Sequence, residues 1–229
     1  MNETTPLLAL PLLAAAQAQK HVTHNEALLR LDAAAQLAVL DRTRVTPPVS
    51  SLPGDRHIVA TGAGGAWAGH EGEIALYDDG WRFLVPRAGW RAHVVTEART
   101  LLFDGSAWRD ALAMTPSGAG ATLRMAEEEL ILAGGFVVST IVVPNRAICL
   151  SVASRTVTAV TGATAYEVGV AGETAKFGGM LGVAAGTGNI GVIGPQAFYA
   201  DTPLRVTALD GSFTGGRVRL VLSYLAFTL

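Results

Sequence analysis

Turn signals divide the first half of this chain into short segments rich in aromatic and branched residues. Turns containing Gly or Asp recur about every 8 to 10 residues, a spacing typical of antiparallel strands joined by hairpins. We therefore predict a small Trp-rich antiparallel β meander over residues 53–110. Its expected strands cover residues 56–60, 73–77, 81–85, 90–95 and 99–103.

Two segments of this region carry the same hairpin pattern, in which an aromatic residue, an Asp- and Gly-containing turn and a tryptophan follow one another. The first segment runs from Tyr77 to Trp81 and the second from Phe103 to Trp108. In each segment the glycine can adopt a positive φ angle, and the two aromatic rings can pair across the strands. Both segments are therefore predicted to be β-hairpins.

The second half of the chain is also predicted to be rich in strands. Residues 113–121, which contain Pro116, Gly118 and Gly120, are predicted to be a linker. After it, eight or nine short strand segments without a helical stretch favour a β-sandwich, most simply a jelly roll, over residues 120–229. The expected strands cover residues 129–132, 136–143, 146–153, 156–160, 165–170, 176–179, 191–193, 204–209 and 217–227.

One helix is predicted near the N-terminus. Thr23 and Glu26 have the spacing of a capping box, directly before the Leu- and Ala-rich segment 27–40. Because apolar residues occupy nearly every side of this helix, we expect it to be buried within its own chain or among several copies. Residues 43–55, with three prolines, are expected to form an extended linker.

The segment before the helix is apolar over residues 7–16 and resembles the core of a signal peptide. Against secretion, residues 1–6 contain Glu3 and no Lys or Arg, and Pro11 interrupts the apolar run. We expect no membrane insertion, since no uninterrupted stretch approaches the roughly 20 apolar residues that a bilayer requires.

Composition narrows the classes of partner. Half of the residues are apolar, 16% are charged, and the formal net charge is −2. The apolar fraction excludes intrinsic disorder, and the absence of a basic excess argues against nucleic acid. Soluble domains carry about 25% charged residues. The deficit predicts that part of the surface is buried in a homo-oligomer.

Several patterns suggestive of chemistry are better explained structurally. Residues 186–191 match the G-x-G-x-x-G spacing, but the following Gly194-Pro195 excludes the helix that a dinucleotide site needs. His21 and His24 lack a third metal ligand at a suitable spacing. The lone Cys149 lies in an apolar run and is expected to be a small buried hydrophobe. We predict no metal and no cofactor.

Paired carboxylates for glycoside hydrolysis could come from four residues of the first β region, since that reaction needs two facing carboxyl groups. The four are Glu71, Glu73, Asp78 and Asp79. Asp78 and Asp79 are more simply explained by a turn. No serine hydrolase motif is present, because the order and spacing of Ser, His and Asp do not fit one. We therefore predict no catalytic residues.

A loop near the C-terminus has the residue types of a carbohydrate site. Sugar rings stack on aromatic side chains, while their hydroxyl groups bond to amides and carboxylates. The predicted carbohydrate-binding residues are Asn189, Gln196, Phe198, Tyr199 and Asp201. The alternative is that Phe198 and Tyr199 only close the end of the sandwich.

The N-terminal half carries a series of short motifs at residues 7–11, 16–28, 53–55, 64–70, 80–83 and 89–90. The most specific of them contains the run Ala-Gln-Lys-His-Val-Thr-His-Asn-Glu at 18–26. Over roughly residues 7–110, this series resembles a domain of tailed phages and phage-derived gene transfer agents, where it occurs in surface fibres and head spikes.

The resemblance implies a structural spike or fibre protein on the surface of a phage-like particle, assembled in the host cytoplasm. Residues 1–45 would anchor and oligomerise the chain on a capsid vertex or another particle protein, as a trimer or pentamer. Residues 120–229 would adhere to host capsular polysaccharide. Two alternatives are a depolymerase acting on that polysaccharide and a purely structural capsid or tail component without a ligand.

Overall fold

The computed structural model describes residues 3–13 and 20–228. The chain divides into two units, Met1–Ala111 and Leu112–Leu229. Strands dominate both, and the described residues contain a single α-helix, so the predicted mainly β class is confirmed.

The helix α1 spans Lys20–Ala34, which corrects the predicted segment 27–40. Thr23 and Glu26 lie inside the helix, so they do not form the predicted capping box, and Glu26 instead pairs with Arg30 at 2.7 Å. Gln36 follows the helix with a φ of 50°, a left-handed conformation that ends helices. The apolar residues beyond it belong to a strand, where Val39 is completely buried.

The helix is not buried all round, because Val22 and Leu31 are exposed while the carboxylate of Asp32 is buried. Asp32 accepts hydrogen bonds from Thr5 Oγ1 at 2.7 Å, from the Leu7 amide at 3.0 Å and from the Leu8 amide at 2.6 Å. The N-terminal segment is therefore held to the helix by a polar contact. Residues 14–19, which belong to the predicted anchor at 1–45, lie outside the described residues.

The described residues of the first unit form two sheets where a single meander was predicted. One has the order β2-β3-β4, and the other has the order β1-β5-β6-β7. In the second sheet β1 pairs with β5 in parallel, a contact between residues more than fifty positions apart. The strands are β1 (Ala38–Val39), β2 (Arg56–Ile58), β3 (Ile74–Tyr77), β4 (Trp81–Leu84), β5 (Arg91–Val94), β6 (Arg99–Phe103) and β7 (Trp108–Arg109).

Both predicted aromatic hairpins are present. Tyr77 is the cross-strand partner of Trp81, with ring centroids 5.2 Å apart. Phe103 is the partner of Trp108, with ring centroids 5.1 Å apart. The second turn contains Gly105 at a φ of 106°, the positive angle expected of its glycine.

The described residues of the second unit form nine strands. Only the strands at 136–143 and 165–170 have the predicted bounds. The predicted linker 113–121 contains one short strand and the start of another, and the expected strands 146–153 and 156–160 are a single strand. The strands are β8 (Ala113–Met114), β9 (Gly120–Ile131), β10 (Phe136–Val143), β11 (Ile148–Thr161), β12 (Ala165–Val170), β13 (Glu173–Leu181), β14 (Gly188–Ala197), β15 (Thr202–Leu209) and β16 (Gly215–Thr228).

These strands form two antiparallel sheets, with the orders β10-β15-β12-β13 and β14-β11-β16-β9-β8. The sheets share one apolar core, in which Val168 and Leu204 of the first sheet cluster with Val152 and Leu220 of the second. On strands of both sheets, buried residues that face this core alternate with more exposed residues.

Candidate functional site

Four of the five predicted carbohydrate-binding residues lie where β14 ends and the loop 198–201 begins: Gln196, Phe198, Tyr199 and Asp201. Phe198 is only 8% exposed and belongs to the apolar core shared by the two sheets, whereas Tyr199 is 82% exposed. Adjacent side chains on an extended segment point in opposite directions, so one ring faces inward and the other faces solvent. Phe198 therefore cannot offer its face to a sugar ring, and Tyr199 can.

The loop is held against the turn between β10 and β11. Phe198 donates its amide to the Ala147 carbonyl at 3.0 Å and accepts a bond from the Arg146 amide at 2.6 Å. Asp201 Oδ1 accepts a bond from the Asn145 amide at 2.8 Å. These three bonds join two chain segments that are about fifty residues apart and fix the position from which Tyr199 projects.

The structure separates Asn189 from this loop. Asn189 lies at the other end of β14 from Gln196, about 23 Å away at the usual rise of a strand. Its amide Nδ2 donates to the Phe177 carbonyl at 2.9 Å, which links β14 to β13 at the edges of the two sheets. The structure therefore does not bring Asn189 together with Tyr199, and the Asn189 amide serves instead as a bond between β14 and β13.

Two exposed polar residues that were not predicted lie beside the loop. Asn145 and Arg146 form the β10–β11 turn, and both are exposed. Arg146 has a φ of 64°, so the turn holds it in a left-handed conformation. The dipeptide Pro144-Asn145 is a turn signal that could have drawn attention to this segment, but no sequence pattern places it next to Tyr199.

The exposed residues Tyr199, Asn145 and Arg146 lie on these two bonded segments, and Gln196 is exposed at the end of β14. We call these four residues the Tyr199 patch. It offers one aromatic face together with amide and guanidinium groups, and the carboxylate of Asp201 is engaged in holding the turn. An arrangement of this kind can stack on a pyranose ring and bond to its hydroxyl groups. It has neither a deep cavity nor a pair of facing carboxylates.

The G-x-G-x-x-G segment forms a turn and the start of a strand, as expected. Gly186 has a φ of 91° in the turn, and β14 begins at Gly188. Gly191 packs directly against the carbonyl groups of Phe177 and Val152, leaving no space for a Cβ atom. Glycine at position 191 therefore allows the backbones of neighbouring strands to approach closely.

One histidine of the first unit, His57, lies in a buried cluster of aromatic side chains. His57 is buried, and its Nδ1 lies 3.3 Å from Asp41 Oδ2. Its ring packs against Trp67 and Trp81, with centroids 5.3 and 5.9 Å away. Among the described residues, no group of three His, Cys, Asp or Glu side chains could hold a metal ion.

The four carboxylates considered for hydrolysis do not share a strand face. Glu73 precedes β3 and pairs with His70 at 2.9 Å. Asp78 lies 3.7 Å from Arg82, and Asp79 occupies the hairpin turn at a φ of 51°. These contacts account for three of the four residues in structural terms.

A groove of about 890 Å³ lies in the first unit, lined among others by Asn25, Tyr77 and Arg82. We assign it no ligand. Cys149 is a free, buried thiol whose pKa is raised by burial, in keeping with a hydrophobic role. Within the described residues, no helix combines the length and the apolar character needed to cross a membrane.

Comparison with known proteins gives one family match. Residues 24–109 match the family described as "Protein of unknown function (DUF2793)", which is less than half of the chain. No curated protein matches. A chain in the solved structure titled "Cyanophage Pam1 capsid asymmetric unit" is similar at 18% identity and a TM-score of 0.39, over 50% of this chain and 91% of that one. At this score the likeness carries no conclusion about fold or function.

Proposed function

We propose that the chain is a non-enzymatic structural protein of a phage-like particle, a head spike or fibre of the kind found in gene transfer agents. The observation that carries this proposal is the motif series of residues 7–90, above all the run at 18–26. The family match over residues 24–109 covers most of the same region. The N-terminal unit would attach the chain to the particle.

We further propose that the second unit is a jelly roll. Eight strands, β9 to β16, alternate between the sheets except at β12 and β13, which are neighbours in one sheet. The orders β14-β11-β16-β9 and β10-β15-β12-β13 are those of two interlocked Greek keys, the arrangement of double-sheet jelly rolls in capsid and lectin domains.

Within this proposal, the Tyr199 patch adheres to host capsular polysaccharide. The support is the exposed ring of Tyr199 together with the exposed Gln196, Asn145 and Arg146 on a loop held by backbone bonds. A rigid loop lowers the entropy lost on binding. Assembly on the particle as a trimer or pentamer would multiply the weak affinity of each patch.

The adhesion proposal is tested with the full chain on an array of purified capsular polysaccharides. We expect Tyr199→Ala to weaken binding by about 1–3 kcal/mol, the loss of one aromatic anchor. Tyr199→Phe, which keeps the ring, should bind nearly as well as the natural protein. Both substitutions are at an exposed position, so circular dichroism should show an unchanged fold.

Three outcomes separate the alternatives. Equal binding by a folded Tyr199→Ala variant would show that another surface binds the sugar. No binding to any polysaccharide would favour the purely structural role. New reducing ends after incubation with a bound polysaccharide would favour the depolymerase.

A further inference from the structure

The outer surface of the five-stranded sheet in the second unit is apolar where a solvated face would be polar. Met125 is 68%, Ile190 77% and Val192 71% exposed, and Leu123 and Phe227 are more than half exposed. Val221 and Leu225 of β16 lie between them. We call these seven residues the outer apolar face.

The strand register arranges this face in rows that cross β14, β11, β16 and β9. One row is Val192, Ser151, Ser223 and Met125, so two serines lie between two projecting apolar side chains. The neighbouring row is Ile190, Ala153, Val221 and Glu127. The small residues Ser151 and Ala153 therefore form a trough along β11. On the other side of β16, Met125 and Leu123 form a ridge along β9.

The charged residues of the same surface are gathered at one end of it. Glu129 lies 3.2 Å from Arg217 and 3.1 Å from Arg219, and Arg219 also lies 3.9 Å from Glu127. Arg155 on β11 is the cross-strand partner of Arg219. Both signs of charge are thus present, acidic on β9 and basic on β11 and β16, and no basic stripe suits a polyanion.

The size of the face fits a protein partner. The three strands β9, β16 and β11, spaced at about 4.8 Å, cover on the order of 500 Å² between the rows of Phe227 and Arg217. A specific interface buries at least about 500 Å² on each partner, so this area is at the lower end of what a protein contact needs. A surface of this extent is stabilised when a second sheet covers it, as in aligned sheet packing.

We propose that this face packs against the same face of a second copy, related by a two-fold axis along β16. Such a rotation exchanges the β9 and β11 sides while keeping each row in place. It lays Met125 over Ser151 of the other copy, ridge into trough, and brings Arg155 opposite Glu129. The ridge and the trough are therefore self-complementary, as a two-fold contact requires, and the contacts between Arg155 and Glu129 offset the approach of Arg219 to its own copy at the axis.

This inference is independent of polysaccharide binding. It also differs from the three- or five-fold base proposed above, because it concerns a contact between two second units. Light scattering on the full chain at micromolar concentration should give an even multiple of the 23.7 kDa chain mass.

Met125→Glu should raise the dissociation constant of the pair at least tenfold, since it places a charge in the contact. The matched control is Met180→Glu on β13 of the other sheet, where the methionine is also exposed. It should leave the mass unchanged. A monomeric natural protein, or an unchanged mass for folded Met125→Glu, would overturn the proposal.

A second test introduces no charge into the contact. Met125 and Ser151 are on strands separated by β16, about 10 Å apart within one copy, which is too far for an internal disulfide. In the double variant Met125→Cys, Ser151→Cys, mild oxidation should yield a covalent dimer on a non-reducing gel. A trimer or pentamer that gives no such dimer would reject the two-fold contact and leave the particle proposal intact.

Discussion

Asp32 is the residue that most directly couples the N-terminal segment to the rest of the first unit. Its buried carboxylate accepts three hydrogen bonds from residues 5–8, and it attracts the buried Arg56, whose pKa is lowered by burial and raised in part by Asp32. Asp32→Ala should lower the free energy of unfolding by about 2–4 kcal/mol, because buried donors and a buried cation lose their partner.

Urea unfolding followed by tryptophan fluorescence measures this effect, since all four tryptophans lie in the first unit. The matched control is Glu26→Ala on the same helix, which removes only the exposed pair with Arg30 and should cost less than about 0.5 kcal/mol. Equal costs for the two variants would refute the role given to Asp32.

Asp104 makes the stability of the first unit depend on pH in the acid range. Hydrogen bonds from Arg109, from the amides of Ala107 and Ser106 and from the Ser106 hydroxyl hold the pKa of its carboxyl well below its ordinary value of 3.8. Because the folded pKa is the lower one, the stabilisation is complete above about pH 4 and is lost as the pH falls further.

Asp104→Asn should therefore lose less stability than the natural protein between about pH 5 and pH 2. The difference should not exceed about 1 kcal/mol, since the group is only half-buried and solvent screens its interactions. Denaturant unfolding at a series of pH values measures it. Parallel pH profiles of the two proteins would contradict the prediction.

At the scale of elements, the sandwich depends on a close approach between β14 and its neighbours. Gly191 meets the backbone carbonyls of Phe177 on β13 and Val152 on β11, and Asn189 bonds to the first of these carbonyls. Gly191→Ala should destabilise the second unit by roughly 2–3 kcal/mol, because backbone atoms cannot move aside for a methyl group.

Gly194→Ala is the matched control, since it lies on the same strand with no atom within 4 Å of the added Cβ. It should change stability by less than about 0.5 kcal/mol. Thermal unfolding followed by circular dichroism compares the two variants. A similar melting temperature for the two variants would contradict this prediction. It would show that β13 and β11 can move away from Gly191 enough to admit a methyl group.

At the scale of the whole molecule, the chain contains two separately built units. The second has its own core from both sheets, including the buried bond of 3.0 Å between Thr156 and Tyr166. We expect a fragment comprising residues 112–229 to fold alone, because the core residues of the sandwich all come from within it. Circular dichroism and a cooperative thermal transition of the fragment check this, and an unfolded or aggregated fragment would contradict it.

Local signals predicted several elements well. The strands at 99–103, 136–143 and 165–170 have the predicted boundaries, and both aromatic hairpins are present. These elements depend on alternation and turn residues that act within a few positions. The apolar segment 37–40 is compatible with a helix or a strand. It forms a strand because it pairs in parallel with β5, which is remote in sequence.

The mainly β class, the hairpins and the N-terminal motif follow from the sequence by itself, because each rests on neighbouring residues. The composition of the predicted sugar site follows from it too. Only the tertiary structure decided that Phe198 fills the core while Tyr199 projects, and that Asn189 is remote from both. Which side of a strand faces the core depends on its register against other strands, and register is set by contacts between distant residues.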